Sequence, residues 1–169
     1  TSIARGVDVN VTLAEAMALG HDCGHGPGGH ASEDAFDAFI TGGYDHGPWG
    51  ADVVLQNLNL CAETLDGIRN HSWSRPSPLT VEGHIVSWAD RIAYCAHDLE
   101  DAMHAGIVAP DDLPVDVIEV CGRTRREQLN TFVRAVVRAV EEDGEVGMPP
   151  AEAQALATLR AFNYERIYV

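Results

Sequence analysis

Apolar residues recur at helical spacing along most of the chain. The clearest stripe lies between about residues 81 and 105 and consists of Ile85, Trp88, Ala89, Ile92, Ala96, Leu99 and Met103. Steps of mostly three and four residues predict one long helix with a buried face. The same spacing predicts helices over 32–40, 49–60, 62–70, 115–121, 127–140 and 151–169. No pair of strands with a hairpin signal is present. The pattern therefore predicts an all-α, compact globule of seven or eight helices, without a sheet of consequence.

Glycine, proline and capping residues divide these helices. Thr12 followed by Glu15 has the pattern of a capping box and predicts a helix start, and Gly20 and Gly24 interrupt the helix that follows. Residues 24–30 read GHGPGGH, a loop with four glycines and one proline. A second loop, rich in proline and serine, is predicted over residues 72–79.

Charge narrows the range of partners. The chain has 169 residues, the size of one domain, and a formal net charge of −15. Nucleic-acid backbones and anionic membranes are bound by clustered Lys and Arg, so neither is expected as a partner. No apolar run is long enough for a membrane helix. The four cysteines form no paired thiolate motif, and we interpret them as reduced thiols of a cytoplasmic protein.

Histidines are concentrated in the first part of the chain. Five of the eight lie between His21 and His71, and three of these, with Asp22, surround the glycine-rich bend. Histidine and carboxylate are the ligands of a divalent ion where paired cysteines are absent. Side chains of His21 and Asp22 point about 100° apart within a helix, but they can converge where a helix ends. Such an ion needs further ligands from elsewhere in the chain, and these donors suit Mn, Mg, Fe, Co, Ni or Zn.

Two further sets of residues are candidates for chemistry. Asp90, Tyr94 and Asp98 share one stripe of the long helix, which either faces solvent or borders a pocket; the apolar residues around them favour the pocket. His30 and Glu33 are spaced to hydrogen-bond at a helix start, where Glu33 would hold the imidazole in one tautomer. Glu33 also suits the positive end of the helix dipole, and both interpretations can hold.

Several segments together resemble a known family. They are AMALGHDCGHGPGGHASE at 16–33, YDHG at 44–47, NLCAETLDGIRNHS at 59–72, EGHIVSWADRIAYCAHDLEDA at 82–102 and LRAFNYERIY near the end. On these segments the chain resembles the HD-domain superfamily and, within it, the deoxyguanosine-triphosphate triphosphohydrolase (dGTPase) branch. The resemblance implies an all-α, cytoplasmic and often oligomeric protein, so a homo-oligomer is expected. It also implies a metal-dependent hydrolase that cleaves a deoxynucleoside triphosphate into deoxynucleoside and inorganic triphosphate.

The resemblance also implies the role of each candidate. The metal ligands are His21 and Asp22, the doublet, and Asp90, the distant ligand. His30 and Glu33 are the catalytic dyad, and His25 and His46 are further active-site histidines near the phosphates. Tyr94 and Asp98 are the residues that contact the deoxyribose. Arg91 occupies the position where some members carry a cation for the phosphates.

The family's first metal histidine would lie upstream of SIARG. We therefore expect residues 1–169 to form a single HD domain from which an N-terminal part with that histidine is absent. Two alternatives stay open. One is a non-catalytic, nucleotide-binding HD scaffold, and the other is a different HD phosphohydrolase, a nucleotidase or a phosphodiesterase.

Overall fold

The computed structural model describes residues 1–168, and it is helical. Over these residues no strand occurs, which confirms the all-α prediction. The helices are α1 (Ser2–Gly6), α2 (Val11–Gly20), α3 (His30–Asp37), α4 (His46–Trp49), α5 (Ala62–Asn70), α6 (Val81–His104), α7 (Val115–Cys121), α8 (Arg125–Asp143) and α9 (Pro150–Arg166). The described residues thus contain more helices than the seven or eight predicted, because α1 and α4 are too short for periodicity to register.

The chain divides into two compact units, one over residues 3–87 and one from residue 88 onwards. In the first unit, α2 packs on α5, and α5 also packs against α4 and the segment after it. Met17 of α2 and Ile68 of α5 are fully buried. A Cβ at Gly67 would lie 2.5 Å from the Met17 sulfur, so the glycine lets these two helices pack closely without a shift of the Met17 side chain. Whether residues 1–169 act as one domain stays a prediction.

In the second unit, α7 packs on both α8 and α9, and α8 packs on α9. Val117, Phe132, Val136 and Leu159 supply fully buried side chains from these three helices. Helix α8 begins with a capping box, because Thr124 accepts from the Glu127 N–H while the Glu127 carboxylate accepts from the Thr124 N–H. It starts two residues earlier and ends three residues later than predicted.

Helix α6 agrees with the predicted long helix to within one residue. Ile85, Ile92, Ala96 and Leu99 of the predicted stripe are buried, so the periodicity identified the buried face. Helices α5 and α7 also have their predicted bounds. The last helix ends at Arg166, and its predicted end at residue 169 lies outside the described residues.

The prediction of one helix over 49–60 is wrong. Helix α4 ends at Trp49 and is followed by a π-helical turn, Gly50–Val54, and a 3-10 turn, Gln56–Leu58. The π turn is closed by the Leu55 N–H, which donates to the Gly50 carbonyl at 2.9 Å. A Cβ on Gly24 would lie 2.4 Å from the Gly50 nitrogen. The backbone at this point therefore follows a tertiary contact rather than its local apolar spacing.

Two predicted helix starts need correction. Thr12 is not the cap of α2, since Asn10 holds that position and its side chain accepts from the Leu13 N–H at 3.1 Å. Helix α3 covers 30–37 rather than 32–40. It follows directly on Gly29, whose φ of 57° lies in the left-handed region that favours glycine, so the chain turns into the helix earlier.

Candidate metal and acid-base site

The glycine-rich bend after α2 is a series of tight turns held close to α4. The Cys23 N–H donates to the Gly20 carbonyl and the His25 N–H to the Asp22 carbonyl, each at 3.1 Å. A Cβ on Gly24 would lie 2.0 Å from the His46 carbonyl oxygen, so only glycine permits this approach. The Tyr44 hydroxyl donates to the Gly24 carbonyl at 2.6 Å. These contacts place the bend beside the start of α4.

His21 and Asp22 lie directly after the end of α2, as the helix-end argument predicts. His21 Nδ1 donates to the Ala18 carbonyl at 2.8 Å, which leaves the ligand electron pair on Nε2. Nε2 faces Asp22 Oδ2 at 3.3 Å. An imidazole lone pair beside a carboxylate oxygen is the donor pair that a divalent ion binds, so these two residues fit a metal.

Glu33 links His30 and His46. Its Oε2 is 3.2 Å from His30 Nδ1, so the predicted pairing at the helix start is confirmed. Its Oε1 is 2.5 Å from His46 Nδ1 and also accepts from the His46 backbone N–H at 2.9 Å. His30 is largely exposed, whereas His46 is buried. Glu33 therefore holds one accessible and one buried imidazole in fixed positions.

His25 stacks on His46, with ring centroids 3.8 Å apart. Its Nε2 is 3.5 Å from Asp22 Oδ1, and its Nδ1 is 3.8 Å from Glu33 Oε1. His25 Nδ1 is buried and has no hydrogen-bond partner among the described residues. His25 therefore lies between the doublet and the Glu33 pair.

Burial and hydrogen bonds shift the titration of this cluster. Burial lowers the pKa of His25 and of His46, because it disfavours the charged ring more than the nearby carboxylates favour it. Burial alone would raise the pKa of Glu33, but hydrogen bonds from the His46 backbone, the His46 ring and His30 outweigh it and lower that pKa. At neutral pH the carboxylate is therefore ionised beside neutral buried rings.

His71 is a site residue that the sequence reasoning missed. It is buried, and its Nε2 lies 3.0 Å from His46 Nε2, while its Nδ1 donates to the Ile68 carbonyl at 2.7 Å. The available signals were its place within the histidine-rich span and at the end of the segment over 59–72. Neither signal says that residues 46 and 71 meet.

Two groups of side chains among residues 1–168 have metal-ligating atoms within 4.8 Å of one another. One consists of His25, His30, Glu33 and His46, and the other of Asp22, His46 and His71. Imidazole and carboxylate donors in this number are what divalent transition ions bind. These groups include five of the candidates, Asp22, His25, His30, Glu33 and His46. His21 belongs to neither group and lies beside Asp22.

The remaining candidates belong to the second unit and lie on α6. Asp90, Tyr94 and Asp98 are half-buried there, so the stripe is neither fully solvated nor part of the core. Arg160 Nε donates to the Tyr94 hydroxyl at 2.8 Å, and the Tyr168 hydroxyl donates to the Asp98 carboxylate. Burial raises the pKa of Tyr94. The sequence reasoning did not anticipate Arg160 or Tyr168; both lie in the segment near the chain end that carries the resemblance.

A helical chain with a His-Asp doublet beside a histidine–carboxylate cluster defines the class of protein. The HD-domain family model matches residues 1–95. The chain belongs to the HD-domain family.

Curated relatives are more specific. The chain is 40% identical over 174 residues to a deoxyguanosinetriphosphate triphosphohydrolase-like protein of Caldanaerobacter subterraneus subsp. tengcongensis, covering 99% of this chain and 51% of that protein. Proteins of the same name from Clostridium perfringens and Clostridium tetani are 37% and 34% identical, again over 99% of this chain and over 53% and 52% of theirs. The predicted resemblance is thereby confirmed. The chain spans about half the length of these relatives.

Over the described residues, the longest helices lack the apolar character that crossing a bilayer demands.

Proposed function

We propose that this chain carries the centre of a metal-dependent phosphohydrolase that cleaves a deoxynucleoside triphosphate, of the dGTP type, into deoxynucleoside and inorganic triphosphate. The observation that carries the proposal is the closeness of the His21–Asp22 doublet to the cluster of histidines around Glu33, with Asp22 Oδ1 3.5 Å from His25 Nε2 and 3.7 Å from His46 Nε2. The names of the curated relatives support the class of substrate.

His21, Asp22 and, by the family resemblance, Asp90 would hold the ion. When bound, a divalent ion offsets the charge that develops on the phosphate oxygens. Such compensation matters because the chain has a formal net charge of −15 and would otherwise repel a triphosphate. Arg91 is proposed to contact the phosphates as well.

His30 is proposed as the general acid-base residue, with Glu33 as the residue that orients it. Because His30 Nδ1 faces Glu33 Oε2, the ring presents Nε2 as the atom that takes or gives the proton. The lowered pKa of Glu33 keeps it ionised, so that it favours this tautomer. The proton leaves the attacking water, and a proton is returned to the departing group.

His25 and His46 are proposed to serve the phosphates in different ways. His25 is half-buried and stacks on His46, so its edge is available for a direct hydrogen bond. His46 has a relative exposure of 5% and bonds Glu33, which favours a role in holding the carboxylate. Neutral rings suit both roles because they donate without a competing charge.

Tyr94 and Asp98 are proposed to contact the deoxyribose. The bond from Arg160 fixes the Tyr94 ring, and a ring packed on the sugar would leave no room for a 2′-hydroxyl. Deoxynucleotides should therefore be turned over and ribonucleotides should not. Equal turnover of both would contradict this assignment. A homo-oligomer is proposed on the same resemblance and is tested by light scattering.

Product analysis tests the function directly. The full-length protein is incubated with each deoxynucleoside triphosphate and Mn²⁺ or Mg²⁺, and the products are separated by chromatography. Release of inorganic triphosphate supports the proposal. Orthophosphate would indicate a different phosphohydrolase, and no product would indicate a binding scaffold.

Two variants separate the proposed roles. Asp90→Ala should lose turnover and the ion proposed for His21, Asp22 and Asp90, whereas His30→Ala should keep that ion and lose about 10²–10⁴-fold in rate. His97→Ala is the matched control, because His97 is exposed and has no proposed role. Full activity of His30→Ala would remove that residue from the mechanism, and an Asp90→Ala variant that binds as many ions as the wild type would remove Asp90 from the ligand set.

A further inference from the structure

A row of three close contacts runs from Glu33 through His46 and His71 to a backbone carbonyl. Glu33 Oε1 is 2.5 Å from His46 Nδ1, and His46 Nε2 is 3.0 Å from His71 Nε2. His71 Nδ1 is 2.7 Å from the Ile68 carbonyl oxygen. Each of these three contacts needs one proton, or another positive centre, between its two atoms.

Two neutral imidazole rings carry only two N–H groups for these three contacts. The Ile68 carbonyl is an obligate acceptor, so His71 Nδ1 supplies the first proton. The second proton serves only one of the two remaining contacts. If His46 Nδ1 donates to Glu33, the lone pairs of the two Nε2 atoms face each other, and if His46 Nε2 donates to His71, the lone pair of His46 Nδ1 faces the Glu33 carboxylate. A cation beside Glu33 removes the repulsion of the second arrangement by shared coordination.

The surroundings of Glu33 supply the other ligands for such a cation. His30 Nδ1 is 3.2 Å from Glu33 Oε2, and His25 Nδ1 is 3.8 Å from Glu33 Oε1. His25 Nδ1 is buried and has no hydrogen-bond partner among the described residues, which costs free energy unless something binds it. One ligating atom from each of these three residues and from His46 lies within 4.8 Å of the others.

We propose that His25, His30, Glu33 and His46 form a second metal site, which binds a divalent transition ion of the Zn²⁺ kind. Three imidazoles and one carboxylate are zinc ligands, whereas Mg²⁺ prefers oxygen atoms and water. Ligands about 2.0–2.1 Å from a tetrahedral ion are about 3.3–3.5 Å from one another. The separations from Glu33 to His30 and His25 bracket that range, and the contact with His46 has to widen by less than about 1 Å.

This second site has other ligands than the ion site of the proposed function, and an ion bound here should inhibit turnover rather than support it. It shares no residue with His21, Asp22 and Asp90. If the proposed function holds, an ion here engages His30 and Glu33 and removes them from proton transfer. Zinc should then inhibit turnover at concentrations that fill this second site. That consequence rests on the proposed function, but the binding does not.

The test is a titration of the metal-free chain with Zn²⁺ alone, followed by calorimetry, and with Co²⁺, followed by its visible absorption. The wild type should bind two ions per chain, and Asp90→Ala should still bind one. Glu33→Gln and His30→Ala should each weaken the second ion by more than the about 10–100-fold that follows the loss of an orienting partner. His30 has a largely exposed side chain, so its variant tests the site even if Glu33→Gln does not fold. Asp34→Asn, an exposed neighbour on α3, is the matched control and should bind two ions.

Three results would overturn the proposal. The first is a single ion per wild-type chain that His30→Ala retains, and the second is an Asp90→Ala variant that binds none. The third is loss of the second ion in His71→Asn with its retention in His30→Ala, which would put the ion between His46 and His71. A chain that saturates with one ion, keeps that ion in His30→Ala and forms triphosphate would refute this inference and leave the function standing. Two Zn²⁺ ions per chain, with no triphosphate formed in Mn²⁺ or Mg²⁺ alone, would support this inference and refute the proposed function.

Discussion

Gly24→Ala should destabilise the protein through a backbone clash inside the candidate site. The added Cβ would lie 2.0 Å from the His46 carbonyl oxygen, 2.4 Å from the Gly50 nitrogen and 2.8 Å from the Gly50 Cα. All three atoms belong to the backbone, so no side chain can rotate away. The bend at residue 24 or helix α4 has to move by more than 1 Å to restore an ordinary contact distance.

Overpacking of this kind costs typically about 1–3 kcal/mol. Since the obstructing atoms are backbone, we expect a decrease in the free energy of unfolding near the upper end of that range. For a chain of this size, about 3 kcal/mol corresponds to a decrease in Tm of about 6–12 °C. The shift of His46 should also weaken its contacts with Glu33 and His71, and so reduce turnover.

Thermal and urea unfolding measure the effect, with Gly28→Ala as the control in the same bend. A Cβ at Gly28 would meet its nearest atom, the Ser32 nitrogen, at 3.6 Å, which is an ordinary contact. The control should therefore unfold within about 1 kcal/mol of the wild type. If both variants unfold alike, the close approach of Gly24 to α4 does not exist in solution and the reasoning fails.

Three further predictions follow from local features. Asn10→Ala should lower the free energy of unfolding by about 0.5–2 kcal/mol by removing the cap of α2, whereas Thr12→Ala should change it little; equal effects in urea unfolding would contradict the cap assignment. The metal-free protein should lose stability as the pH falls below about 6.5. Burial lowers the pKa of His25 and His46 in the folded protein, so the unfolded chain binds more protons than the folded one in this range. A urea midpoint unchanged between pH 7.5 and 5.5 would refute this. Burial raises the pKa of Cys95 to about 12. Cys23 and Cys61 are exposed, whereas Cys95 and Cys121 are buried. A thiol reagent should therefore modify two cysteines in the native protein and all four in denaturant. Faster modification of the buried pair would contradict their place in the core.

The elements that could be predicted from the sequence are those decided by neighbours along the chain. Helices α5, α6 and α7 came out at or within one residue of their bounds, since an apolar stripe repeats with the helical period. The His30–Glu33 contact was predictable for the same reason, because residues three apart share a helix face.

Tertiary structure alone decided the rest. The π turn after α4 begins where the Gly24 backbone closely approaches Gly50, a contact that no local pattern encodes. The contact of Glu33 with His46 spans 13 residues and that of His46 with His71 spans 25, so neither pair shares a local element. Sequence thus determined which residue types are available and which helices carry them. Packing between helices determined which side chains meet, because burial of apolar surface depends on the whole fold rather than on spacing.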